Sequence, residues 1–147
     1  MNPPRLYLLD TSAWAQATYS RRAAAEIEGL ALRGLLGITE LTHLEILYSA
    51  RDSKAYRELE EWVTEQLIPV RATEQALALA LQRQLELAEQ GMHRVAGPID
   101  LVVAAVAELE AHTLLHYDND FARIADITGQ PHRWILPRGT GHGVDAR

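Results

Sequence analysis

The sequence predicts an α/β fold, with helices on both faces of a central, mostly parallel sheet of four to five short strands. Short apolar segments without polar alternation are typical of strands that are buried on both faces. Segments of this kind alternate along the chain with longer segments of helical periodicity. The chain has 147 residues, of which 48% are hydrophobic, and this length fits one compact domain.

Two strands are predicted in the first half of the chain, and helices follow each of them. The first strand covers residues 5–9 and ends at Asp10, and the polar segment 10–12 is suited to cap a helix. In order, the next elements are a helix over 20–33 that starts at the cap Ser20, a strand over 35–38, a helix over 40–49 capped by Thr39, and a helix over 53–66. Leucines recur at helical spacing in the helix over 40–49.

The second half of the chain repeats this alternation and ends in a glycine-rich segment. In order, we expect an extended segment over 67–70, a long helix over 73–90, a helix over 98–112, a strand over 113–117, a short helix capped by the segment 118–120, and a last strand over 132–136. Proline suits the first turn of the helix over 98–112, where its missing N–H costs nothing. We expect the domain to span residues 1–137, and residues 138–147, three of which are glycine, to form a mobile tail.

Composition and charge exclude several classes of protein. Twenty acidic residues against 14 basic ones give a net charge of −6, which argues against nonspecific binding of nucleic acids or membranes through bulk positive charge. The absence of cysteine excludes disulfides, thiolate metal sites and cysteine nucleophiles. No apolar segment reaches the ~18 residues of a membrane span, and no signal peptide is recognisable. We therefore expect a soluble, cytoplasmic protein, and a nucleic-acid enzyme that binds cations through carboxylates stays compatible with the charge.

Four carboxylates are candidates for a common site. Asp10 and Asp118 each follow a predicted strand, and sites in open α/β sheets form beyond the carboxyl ends of the strands. Asp100 lies in the first turn of an apolar helix, and Glu45 lies between two apolar residues of another helix. Each residue also has a structural explanation: a helix cap for Asp10 and Asp118, compensation of the helix dipole for Asp100, and a solvated helix edge for Glu45.

Three further residues are candidates for accessory roles. Asp120, two residues after Asp118, is either a second acid of a helix first turn or an auxiliary ligand. Ser12, two residues after Asp10, either caps the helix or contacts a bound water or a phosphate. His116 shares one side of its strand with Asp118 and is either a hydrogen-bonded strand histidine or a proton donor or phosphate contact. No substrate-binding residue can be assigned.

A convergence of these carboxylates would need a cation, because three or four of them at one sheet edge repel one another. Mg²⁺ and Mn²⁺ prefer oxygen ligands and fit such a cluster. Cations of this kind promote phosphodiester hydrolysis by activating water and stabilising the leaving oxygen. The residues therefore favour metal-dependent hydrolysis of a phosphodiester, if the four carboxylates meet.

Four segments resemble the motifs of the PIN-domain ribonucleases, in particular those of the VapC toxins. These segments are LLDTSA at 8–13, LEILYSAR at 44–51, DLVVAA at 100–105 and TLLHYDNDF at 113–121. Their order and spacing cover nearly the whole chain, from Arg5 to Leu136. One position departs from the family pattern, because His116 stands where the family usually has Thr or Ser, two residues before Asp118.

The resemblance implies a PIN-like three-layer fold and a metal-dependent endoribonuclease. Its catalytic and metal-binding residues would be Asp10, Glu45, Asp100 and Asp118, with Asp120 as a nearby accessory. It also implies Mg²⁺ or Mn²⁺ as the cofactor, a structured RNA such as tRNA as the substrate, and a homodimer. A cognate VapB antitoxin placed against the active site would neutralise the toxin.

Two other functions stay open at this point. A receiver-type phosphoacceptor domain also gathers acids around Mg²⁺, but it uses a lysine after a late strand, and Lys54, the single lysine, lies between predicted helices. A catalytically silent interaction module of the PIN fold would not need all four acids, and their presence argues against it.

Overall fold

A five-stranded sheet between two layers of helices forms the described part of the chain, residues 5–142, in the computed structural model. The strands are β1 (Tyr7–Leu9), β2 (Leu36–Ile38), β3 (Ile68–Pro69), β4 (Thr113–His116) and β5 (His132–Trp134). The helices are α1 (Thr11–Gln16), α2 (Arg21–Leu32), α3 (Glu40–Tyr48), α4 (Ser53–Gln66), α5 (Glu74–Glu89), α6 (Pro98–Leu109) and α7 (Asn119–Thr128). This architecture confirms the predicted three-layer α/β fold.

All five strands are parallel and lie in the order β3-β2-β1-β4-β5. The chain builds outward from β1 to β2 and β3, and then crosses to the other side of β1 to add β4 and β5. The direction of winding therefore switches between β1 and β4, and a crevice forms at the carboxyl ends of strands at such a switch point. Leu9 of β1 is in register with Leu115 of β4, so the two strands end side by side.

Two hydrophobic clusters, one on each face of the sheet, make up the core. Leu8 and Leu114 belong to the cluster with helices α5, α6 and α7, and Leu9 and Leu115 belong to the cluster with helices α1 to α4. This division follows from the strand geometry, because successive side chains point to opposite faces. Half of the residues of α6 are buried, all of them after Asp100, and Asp100 itself is half-buried in the first turn.

Side-chain caps begin six of the seven described helices, as the sequence predicts. The capping residues are Asp10, Ser20, Thr39, Asp52, Thr73 and Asp118, and each side chain accepts a backbone N–H of the first turn. Helix α6 instead begins at Gly97 with Pro98 at its first position. It ends at Leu109 rather than at the predicted residue 112, because Ala111 adopts a left-handed conformation with φ of 55°.

The packed domain extends beyond residue 137, where the composition predicts the start of a mobile tail. The buried side chain of Gln16 donates to the carbonyl oxygen of His142 (2.7 Å) and accepts its backbone N–H (2.8 Å). The ring of His142 stacks on Tyr19 with 4.1 Å between the ring centroids. The buried amide of Gln16 needs such partners, and they hold residues 138–142 against α1. Residues 143–147 of the predicted tail lie outside the described residues.

Across residues 5–142, no helix has both the length and the apolar character needed to cross a membrane.

Candidate metal centre

Three carboxylates lie together at the carboxyl edge of the sheet. Asp100 is in the first turn of α6, Asp118 caps α7 directly after β4, and Asp120 is in the first turn of α7. One ligand oxygen from each residue lies within 4.8 Å of the others, and all three side chains are half-buried. The structure therefore brings together two of the four predicted ligands, and it adds Asp120 to them.

Asp10 is the most buried acid of the site, with 4% of its surface exposed. Its carboxylate caps α1 and accepts the backbone N–H of Ser12 at 2.9 Å. The pKa of Asp10 is raised to about 6, chiefly because the side chain is buried. Hydrogen bonds from Ser12 lower this pKa, and the charges of Glu45 and Asp118 raise it. Asp10 thus caps α1, and it also lies close enough to Glu45 and Asp118 for their charges to act on it.

The charge of Asp100 is disfavoured by burial and by every other acid of the site. Burial is the largest cause that raises its pKa to about 7, and the charges of Asp10, Asp118, Asp120 and Glu45 add to it. Five carboxylates consequently act on one another in one crevice. This cluster of acids favours positive charge in the crevice. A divalent cation offsets the repulsion between several carboxylates at once, whereas a proton neutralises only one of them.

Glu45 lies at the open side of this crevice, on α3. Its side chain is exposed, and Thr11 donates its hydroxyl to Oε1 at 2.9 Å. The apolar neighbours do not enclose the charge as their sequence suggests, because Leu44 is 65% exposed while Ile46 is fully buried. Glu45 is therefore on a solvated helix edge, and it also acts electrostatically on Asp10 and Asp100.

Ser12 connects the ends of the two central strands. Its amide donates to Asp10, and its hydroxyl accepts the backbone N–H of Tyr117 at 2.9 Å. Because Tyr117 directly precedes Asp118, Ser12 links the two acids that end β1 and β4. This link across the strands is neither of the two roles, helix cap or phosphate contact, that the sequence suggests for Ser12.

His116 is buried beneath the site and does not face the crevice as a free side chain. The Asp118 backbone N–H donates to its Nδ1 (3.1 Å), and its Nε2 lies 2.9 Å from Nδ1 of His132. Burial, with a smaller contribution from His132, lowers the pKa of His116 to about 3. His116 therefore has no exposed ring nitrogen with which to act as the predicted proton donor or phosphate contact. No pattern in the sequence pointed to His132 as its partner.

A comparison with known protein families matches residues 7–127 to the PIN domain. The chain belongs to the PIN domain family. It is 40% identical over 136 residues to Ribonuclease VapC18 of Mycobacterium tuberculosis, an alignment that covers 92% of this chain and 98% of that protein. This relative confirms the resemblance of the chain to the VapC ribonucleases.

Solved structures share the fold of this PIN-domain chain. The VapBC2 complex of Rickettsia felis bound to a promoter DNA fragment aligns with a TM-score of 0.72 and 18% identity, over 88% of this chain and 98% of that one. VapBC-5 of Mycobacterium tuberculosis, a member of the VapBC family of toxin-antitoxin systems, aligns with a TM-score of 0.57 and 22% identity, over 89% of this chain and 98% of that one. At these identities the likeness shows the fold alone.

Proposed function

We propose that this PIN-domain protein is a toxin-type endoribonuclease that hydrolyses RNA phosphodiester bonds with Mg²⁺ or Mn²⁺. The observation that carries this proposal is the carboxylate crevice between β1 and β4, in a chain that is 40% identical to a VapC ribonuclease. Structured RNA such as tRNA is the proposed substrate, and the cytoplasm, where such RNA is found, is the proposed location.

The donor set of the crevice fits a hard divalent cation. Asp100, Asp118 and Asp120 offer carboxylate oxygens only, within 4.8 Å of one another, and Mg²⁺ and Mn²⁺ prefer such ligands. Burial is the largest cause that raises the pKa of Asp100, and the charges of the other four acids raise it further, so a positive charge among these acids would relieve their repulsion. When bound, a divalent cation would supply Lewis acidity that activates water and offsets the charge developing on the phosphate.

Each acid has a distinct part in the proposed site. Asp100, Asp118 and Asp120 would hold the cation, and Asp10, fixed by Ser12, would complete the set from the end of β1. Glu45 is exposed at the side of the crevice from which a polynucleotide would enter. It is thus the acid best placed to orient an incoming water, and cleavage would leave a 5′-phosphate and a 3′-hydroxyl.

An RNA cleavage assay tests this function. The protein is incubated with structured RNA and Mg²⁺ or Mn²⁺, with and without a chelator, beside the variants Asp10→Asn and Asp100→Asn. We expect cleavage that the chelator abolishes and that each variant reduces at least a hundredfold. Asp126→Asn is the matched control, because Asp126 is an exposed acid of α7 outside the crevice. Chelator-resistant cleavage, or equal cleavage by all variants, would contradict the metal-nuclease mechanism, and no cleavage of any RNA would favour the silent interaction module.

We further propose that a VapB-like antitoxin binds beside the crevice. A groove of about 540 Å³ runs between α1 and the α3–α4 region, with Trp14, Ala15, Arg51 and Leu59 among its lining residues. The groove is lined by residues of α1 and by residues that follow α3, the two helices that carry Thr11 and Glu45, so an antitoxin segment seated in it would lie beside the crevice. The shared fold with VapBC-5, which belongs to a toxin-antitoxin family, supports this partner.

A groove variant tests the antitoxin proposal. Ala15→Arg fills the groove, whereas Ala25→Arg adds the same side chain on the exposed face of α2. With the cognate VapB-like protein as the inhibitor, we expect cleavage by Ala15→Arg to escape inhibition and cleavage by Ala25→Arg to stay inhibited. Equal inhibition of both variants would exclude this groove.

A homodimer is the third part of the proposal, and exposed leucines on α5 support it. Leu77, Leu81 and Leu85 follow one another at spacings of four residues and are 50%, 69% and 62% exposed. An apolar row of this kind on a surface helix marks an interface, and a second copy of the chain offers the same row.

Leu81→Glu should convert the dimer to a monomer in light scattering, while the control Leu32→Glu on α2 should leave the dimer intact. A monomeric native chain would contradict the dimer.

A further inference from the structure

A hydrogen-bond chain of two histidines lies beneath the turn that carries Asp118. The Asp118 N–H donates to Nδ1 of His116 at 3.1 Å, so this nitrogen carries no proton. The proton of the neutral ring is therefore on Nε2, which donates to Nδ1 of His132 at 2.9 Å. The two contacts together determine the tautomer of His116 and its orientation.

Aromatic packing prevents the ring of His116 from turning out of this arrangement. The side chain is fully buried, and its centroid lies 5.1 Å from that of His132, 5.4 Å from that of Phe121 and 4.9 Å from that of Trp134. His132 and Trp134 belong to β5, which pairs with β4 through Leu114 and His116. The edge strand of the sheet thus supports the ring from one side, and α7 supports it from the other.

The same chain continues to the carboxylates of the site. His116 holds the Asp118 amide, and Oδ1 of Asp118 accepts the backbone N–H of Asp120 at 3.0 Å. The Asp118 peptide held by His116 is thus part of the turn that carries both carboxylates. Outer groups that orient metal ligands commonly affect metal affinity by about 10–100-fold.

We propose that His132, acting through His116, is a positioning residue that sets the cation affinity of the site by fixing the Asp118–Asp120 turn. The proposal rests on the cation site of the proposed function. Neither ring faces the crevice, so neither is a catalytic residue. The inference assigns a role to β5, which contributes no acid to the site.

Cation binding without RNA tests this role, with two variants of His132. His132→Leu removes the acceptor for His116 Nε2–H, whereas His132→Asn retains an acceptor oxygen close to the position of Nδ1. Calorimetric titration with Mn²⁺ should show about tenfold weaker binding for His132→Leu and binding within about threefold of the native value for His132→Asn. Long-range proton–nitrogen NMR correlations should show the Nε2–H tautomer of His116 in the native chain and in both variants, because Nδ1 still accepts the Asp118 N–H, and only His132→Leu should show a shift of the Nε2–H resonance that reports the lost acceptor.

A second pair of variants keeps the test decisive if His132→Leu unfolds. His116→Asn retains an acceptor for the Asp118 amide and should bind Mn²⁺ nearly as tightly as the native chain, while His116→Leu should lose about tenfold. Equal Mn²⁺ affinity across the leucine and asparagine variants, or no Mn²⁺ binding by the native chain, would overturn the proposal. Native Mn²⁺ binding without RNA cleavage would contradict the ribonuclease function and leave this positioning role standing.

Discussion

Asp100→Asn should stabilise the metal-free protein at pH 8 while it destroys the site. Folding raises the pKa of Asp100 from 3.8 to about 7, which means that the folded chain holds the Asp100 proton more tightly than the unfolded chain. A rise of about three pH units corresponds to at most ~4 kcal/mol at ~1.4 kcal/mol per unit. Asp100 is partly exposed, and the acids that repel it can protonate in its place. We therefore expect Asp100→Asn to raise the free energy of unfolding at pH 8 by about 2 kcal/mol.

The sign of this effect depends on pH in a defined way. The protonated Asp100 carboxyl contributes fully to the free energy of unfolding below pH 4, and this contribution is lost as the pH rises through about 7. Asparagine does not titrate, so the variant and the native chain should be similarly stable at pH 4 and should diverge up to pH 8. A difference of about 2 kcal/mol corresponds to a melting temperature higher by roughly 5 °C for a chain of this size.

Thermal unfolding in the presence of a chelator, measured from pH 4 to pH 8, checks this expectation. Asp126→Asn serves as the control, because it removes an equal charge from the exposed face of α7. Addition of Mn²⁺ should stabilise the native chain and the control, but it should have little effect on Asp100→Asn. A stability difference that does not vary with pH, or a variant less stable than the native chain at pH 8, would refute the argument from crowded carboxylates.

Two further substitutions test the packing of the fold. Gly37→Ala places a methyl group 2.7 Å from Cγ2 of Val70, between β2 and the residue that follows β3. We expect the free energy of unfolding, measured in urea, to fall by about 1–3 kcal/mol. The control Gly29→Ala, whose methyl group meets no neighbouring atom, should not lower it. Arg83→Met removes the ion pair from α5 to Glu108 on α6, where both side chains are about one quarter exposed, and should cost about 1 kcal/mol, less at high salt. A Gly37→Ala chain of native stability, or a salt-independent effect at Arg83, would contradict these assignments.

The fold was predictable because its signals are local. Short apolar strands, capping residues and leucine spacing determine element type and order, and all of these are visible in sequence. The switch in winding between β1 and β4 is a long-range feature, yet Asp10 and Asp118 at two strand ends already pointed to it. The boundaries were less predictable: the left-handed Ala111 that ends α6 early has no sequence signature, because alanine rarely adopts that conformation.

The sequence pointed to the acids of the candidate site one by one, but not to the contacts between them. A carboxylate oxygen of Asp120 lies within 4.8 Å of those of Asp100 and Asp118, although its position in a first turn had a simpler explanation. The links of Ser12 to Tyr117 and of His116 to His132 join segments distant in sequence. Such contacts depend on strand order and register, which no local pattern encodes.

The central claim is that the carboxylate crevice is a cation site, and one measurement tests it most directly. Mn²⁺ binding is measured by calorimetry at pH 6 and pH 8 in buffers of different ionisation enthalpy, which report the protons released. Since the pKa values of Asp10 and Asp100 are about 6 and about 7, binding at pH 6 should release between one and two protons, and binding at pH 8 almost none. Asp100→Asn should bind much more weakly and release only the smaller share that comes from Asp10, whereas the control Asp126→Asn should behave as the native chain. Absence of saturable Mn²⁺ binding, or equal binding and proton release by Asp100→Asn, would contradict the account.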